Sequence, residues 1–111
     1  MGIRLEKEWI ELSQANIDPL PAQLGVYQLA DADERVLKIG FAGARLNFGM
    51  RTALEAEIEA HPGAQLLFRY EINQQYTTRY DELLMVFVND HGVVPGENIG
   101  EDRIIGRLSP G

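Results

Sequence analysis

Cysteine is absent from the 111-residue chain, which excludes a disulfide framework and any thiolate-held metal. Long apolar runs are missing as well. The longest, Leu83 to Val88, is six residues, against the roughly 20 needed to cover a bilayer core, so no membrane span is expected. Residues Met1 to Glu11 contain no basic stretch followed by an apolar core, so no secretory signal is expected either. A cytoplasmic setting fits both absences. No repeat or low-complexity segment occurs, and Lys is scarce: eight of the ten basic residues are Arg, the side chain suited to bidentate phosphate contacts.

The composition is that of one globular domain, with 45% hydrophobic and 24% charged residues. A net charge of −7 has the wrong sign for a free-standing nucleic-acid binder, which needs basic groups to release counterions from phosphates. The charge is unevenly spread. Between Arg35 and Arg79, six basic side chains face four acidic ones, leaving +2 there and −9 in the remainder. Ordinary surface solubility is the simpler reading of that pattern.

Hydrophobic spacing divides the chain into an N-terminal extension (1–24), a domain (25–98) and a tail (99–111) in which Gly and Pro argue against a long regular element. Glu8 to Leu12 could form a short strand within the extension. Gly25 to Ala30 and Arg35 to Ile39 are rich in strand formers and flank a polar turn, predicting a hairpin that brings the Tyr27 and Lys38 regions together. From an Asn47 cap to Ala60, Met50, Leu54 and Ile58 recur every fourth residue and predict a helix. Gln65 to Ile72 reads as a third strand, with Leu67, Arg69 and Glu71 on one side and Phe68, Tyr70 and Ile72 on the other. A second helix is expected from Thr77 or Thr78 to Gly92, with Asp81 and Glu82 in its first turn.

Gly25-Val26-Tyr27 on the first strand, Lys38-Ile39-Gly40 on the second, Arg51 on the first helix, Glu82 on the later helix and Asn98 downstream follow the motif order of the GIY-YIG nucleases, which this chain resembles over residues 25–98. The resemblance implies an α+β fold with a small central three-stranded antiparallel sheet flanked by helices. It also implies cleavage of phosphodiester bonds in DNA or another nucleic acid, with one divalent metal, Mg²⁺ or Mn²⁺, held by Glu82. Arg51 would then grip the scissile phosphate and Tyr27 would orient or deprotonate the attacking water. Gly25, Gly40 and Asn98 would be structural. Such roles suit the chemistry, because charge building on phosphate oxygens asks for a metal carboxylate, a cation and a proton acceptor at one point. A phenol titrates near 10 when unperturbed, so Tyr27 as a base needs a neighbouring cation, and Lys38 is the one on offer.

The departures from the family pattern are equally specific. Lys38 replaces the second motif's Tyr. The segment from Gly40 to Arg51 is long and contains Arg45. Glu55 stands one helical turn after Arg51, where it can pair with that guanidinium. These features suggest an alternative, a catalytically silent GIY-YIG-like module that binds nucleic acid or a protein partner. Arg45, Arg69 and Arg79 are candidates for a phosphate track. Each residue also has an ordinary structural role open to it: Tyr27 as a strand aromatic, Lys38 as a solvated charge, Glu82 as a first-turn acid. His61 and His91 lie at helix ends, where imidazole complements the dipole, and no zinc site is expected.

Overall fold

The computed structural model describes residues 4–43 and 49–99. At its centre is a hairpin of β2 (Gly25–Ala30) and β3 (Val36–Ala42), closed by Asp31, whose carboxylate accepts from the backbone N–H groups of Asp33 and Arg35. Strand β4 (Leu67–Ile72) pairs with the other edge of β2, and β1 (Ile10–Glu11) pairs with β4 through Ile10↔Phe68 and Glu11↔Leu67. The order is β1-β4-β2-β3, antiparallel throughout. The fold is therefore α+β, and the expected three-strand sheet is corrected to four. The extra strand comes from the N-terminal segment, where only two residues pair.

Directly opposed residues of an antiparallel pair point to the same face, so the register divides the core. Tyr27, Leu29 and Phe68 meet Met50, Ala53 and Leu54 of α2 (Met50–Ala60) and Ile17 of the short α1 (Gln14–Ile17). Val26 and Ile39 meet Tyr80, Leu83 and Leu84 of α3 (Tyr76–His91), together with Leu5. Each face of the sheet thus carries its own helix. Strand β2 lies between the two layers and is buried along its whole length, which is why its apolar run shows little polar alternation.

Several boundaries differ from the expected ones for identifiable reasons. Strand β3 continues through Phe41 and Ala42, which pair with Val26 and Gly25, and the Phe41 ring packs on Tyr76 and Tyr80. Gly49 occupies the cap position of α2 with φ +52, where a Cβ would lie 2.5 Å from the Gln23 carbonyl oxygen. The proposed Asn47 cap lies outside the described residues. Helix α3 begins at Tyr76, ahead of both threonines, after Gln75, whose N–H donates to the Asn73 side chain. It ends at Gly92 in the left-handed conformation that favours glycine. Helix α1 was not expected, and Ser13 caps it by accepting from the Asn16 N–H.

Candidate functional site

Glu57 projects from the third turn of α2 onto the sheet face that carries Tyr27, and its residue is only 4% exposed. The Tyr27 hydroxyl donates to Glu57 Oε2 at 2.5 Å, and Lys38 Nζ lies 2.6 Å from the same oxygen. The hairpin explains the meeting. Tyr27 opposes Gly40, and Lys38 opposes Leu29, so both side chains rise from the same face in adjacent strands, one diagonal step apart. The phenol crosses the strand over Gly40, where a Cβ would stand 2.4 Å from Tyr27 Cζ and hydroxyl. A recess of about 170 Å³ opens beside these groups, lined by Tyr27, Lys38, Ile39, Gly40, Phe41 and Tyr80.

The polar cluster continues past Glu57. His61, at the C-terminal cap of α2, places Nδ1 2.8 Å from the Glu57 backbone carbonyl, and its Nε2 lies 2.8 and 2.9 Å from the two Glu97 carboxylate oxygens. The hydrogen bond to the Glu57 carbonyl pushes the His61 pKa up. Burial opposes that shift, and Glu97 reinforces it. Glu97 belongs to a 3-10 turn (Gly96–Asn98) whose next residue, Asn98, is fully buried against β3. The Asn98 side chain accepts from the Ile39 N–H at 2.8 Å and donates to the Ile39 carbonyl at 2.9 Å. It satisfies both outward backbone groups of Ile39 on an edge strand that would otherwise leave them bare.

Of the four residues proposed for catalysis, Tyr27 and Lys38 come together and Glu82 does not join them. Glu82 is on α3, the helix packed on the opposite face, and its carboxylate accepts from Arg79 Nη1 at 2.5 Å. The same guanidinium binds Glu71 at 3.0 and 3.1 Å, so Arg79 is a buried bridge between β4 and α3. Burial pushes the Glu71 carboxyl up, but hydrogen bonds from Arg79 and Asn73, with the charges of Arg79 and Lys7, outweigh it and hold the pKa below the ordinary value. Arg51 sits half-buried in the first turn of α2. Glu55, its expected partner one turn on, accepts from Gln14 Nε2 at 2.9 Å.

Among the residues of the proposed phosphate track, Arg69 donates to Gln28 Oε1 and to the Lys7 carbonyl and stacks over Trp9. Arg79 is the inter-element bridge, and Arg45 lies outside the described residues. Gly25 has a clear packing reason, since a Cβ there would fall 2.1 Å from the Glu71 carbonyl oxygen. The sequence does not single out Glu57 or Glu97, and it offers His61 only as a helix-end imidazole with no zinc site expected. A signal was available: Glu57 occupies the apolar stripe of α2, three residues after Leu54, and His61 follows it by one turn on the same face.

A family model described as a domain of unknown function (DUF7508) matches residues 3–90. No curated protein and no solved structure matches the chain.

Proposed function

The chain belongs to the DUF7508 family, and from its own side chains we propose that it is a GIY-YIG-like phosphodiesterase acting on nucleic acid, with Glu57 in place of Glu82 as the acid of the site. One observation carries this reading: a phenol and an ammonium converge on one oxygen of a buried carboxylate, beside a recess lined by the two motif strands and Tyr80. Burying such a network does little for stability, because desolvating the charges offsets their attraction. Titratable groups gathered at a cleft are, for that reason, candidates for chemistry.

The groups have a division of labour available to them. Attack of water on the phosphorus forms one P–O bond and breaks the bond to the leaving oxygen. The proton lost by the water passes to the Tyr27 oxygen as the Tyr27 proton moves to Glu57 Oε2. Lys38, at the same oxygen, sits where an ammonium can turn towards the phosphate and offset charge building on its non-bridging oxygens. Solvent gives a proton to the leaving oxygen and takes back the one on Glu57 through Tyr27, which restores the site. The divalent metal that the resemblance asks for on Glu82, Mg²⁺ or Mn²⁺, does not fit there, because Glu82 faces the Arg79 guanidinium and, among the described residues, shares no cluster of His or acidic side chains able to hold an ion. No step is routed through it.

A second reading, the catalytically silent module, is favoured by a different observation: Lys38, Arg69 and Arg79 are all engaged inside the fold. Nicking of supercoiled plasmid at low salt, with Mg²⁺ and Mn²⁺ supplied, separates the two. Wild type is expected to nick and Tyr27→Phe to lose at least tenfold. Salt-dependent retardation of DNA without nicking would replace the hydrolase with a nucleic-acid-binding module. A folded chain that neither cuts nor retards DNA would leave the protein-partner role.

A further inference from the structure

We propose that Glu57, His61 and Glu97 form a binding site for one divalent first-row metal ion of the zinc type, tying the end of α2 to the 3-10 turn beside β3. One ligand atom from each residue lies within 4.8 Å of the other two. Metal–ligand bonds of about 2.0–2.2 Å put neighbouring ligands a little closer than that, a contraction within reach of the partly exposed Glu97 side chain. The other two ligands are held by the fold. Glu57 is anchored by Tyr27 and Lys38 at Oε2, which leaves Oε1 on the side of the His61 ring, 3.8 Å from its Nδ1, so an ion on Nε2 asks that oxygen to shift along the ring edge.

The histidine is arranged as metal-binding histidines commonly are. Its Nδ1–H donates to a backbone carbonyl, that of Glu57, which fixes the ring orientation. Nε2 faces Glu97, to which it donates its own proton without an ion, and a metal would take that proton's place. Tyr27 and Lys38 stand behind the Glu57 carboxylate in the same supporting role. One imidazole with two carboxylates suits Zn²⁺ or Mn²⁺ better than Mg²⁺, which prefers an oxygen-only shell and keeps its waters. The three ligands come from two segments 36 residues apart, His61 and Glu97 making the cross-link. An ion there would secure the turn that holds Asn98 on Ile39, so binding should register as thermal stability.

This inference stands independently of phosphodiester cleavage. The test is calorimetric titration of the full chain, stripped with chelator, with Zn²⁺, Mn²⁺ and Mg²⁺ in turn, and melting curves at each end point. One ion per chain is expected, with Zn²⁺ tighter than Mg²⁺ and a raised melting temperature. His61→Ala and Glu97→Gln, which avoid disturbing the buried Glu57, should each weaken Zn²⁺ binding about tenfold or more. His91→Ala, on the exposed end of α3, should not. No saturable binding by wild type, or equal binding by both ligand variants, would overturn the site. Binding without nicking would refute the hydrolase and leave the metal site standing; nicking without binding would do the reverse.

Discussion

Replacing Lys38 with Met removes the cation from a carboxylate whose side chain is 5% exposed and leaves the Tyr27 hydroxyl as its remaining partner at Oε2. Breaking a buried ion pair from one side costs about 3–5 kcal/mol. The Lys38 side chain is 24% exposed, so water recovers part of that, and about 2–4 kcal/mol is the expected loss. An unfolding entropy of about 2.1 cal/mol/K per residue gives about 0.23 kcal/mol/K for a chain of this length, so the melting temperature should fall by about 9–17 °C. Lys38→Met with Glu57→Gln should behave differently, because a neutral amide can still accept from Tyr27 and no charge remains to be solvated. The double variant should therefore be more stable than the sum of the single losses by about 1–3 kcal/mol. Urea unfolding of all four proteins, followed by circular dichroism at pH 7, measures the cycle. A Lys38→Met loss below about 0.5 kcal/mol, or simple additivity, would refute the claim that this pair is closed and buried.

Gly40→Ala should destabilise by about 1–3 kcal/mol through overpacking, since the new Cβ lies 2.4 Å from the Tyr27 ring. Adding Tyr27→Ala should recover part of the loss, visible as non-additivity in urea unfolding. Asn98→Ala strands both the N–H and the carbonyl of Ile39, at about 1–3 kcal/mol for each orphaned group, and the Ile39 amide should exchange hydrogen faster than in wild type. Glu71 contributes on the acid side. Its folded pKa is depressed, so its contribution is complete above the unfolded carboxylate value and is lost as pH falls through the folded one. Glu71→Gln should accordingly flatten the low-pH limb of the stability profile measured by thermal melts.

How far the sequence could be read follows from which interactions are local. The hairpin was legible because Val26, Tyr27 and Leu29, and after the polar turn Val36 to Ile39, are strand formers separated by turn chemistry. The side alternation of β4 was also legible, and the register places Phe68 and Tyr70 on the α2 face and Glu71 on the other. Helix α2 announced itself through Met50 and Leu54. Strand β1 was harder, because two residues carry too little pattern to prove pairing with Phe68 and Leu67, partners more than fifty positions away. The site divided along the same line. Tyr27 and Lys38 could be brought together by hairpin geometry alone. Glu82 was placed by motif order, which cannot reveal that α3 covers the other face of the sheet or that Arg79 bridges it to Glu71. Glu57 escaped notice because an acid on a helix is ordinarily a solvated residue. Its burial depends on Lys38 from a strand 19 positions earlier.

The most direct measurement compares the cleavage rates of Glu57→Gln and Glu82→Gln on the same supercoiled plasmid, with both proteins shown to be folded. The account predicts that Glu82→Gln cuts at the wild-type rate and that Glu57→Gln loses at least a hundredfold. Loss of cutting in Glu82→Gln with Glu57→Gln unimpaired would contradict it and return the acid of the site to α3.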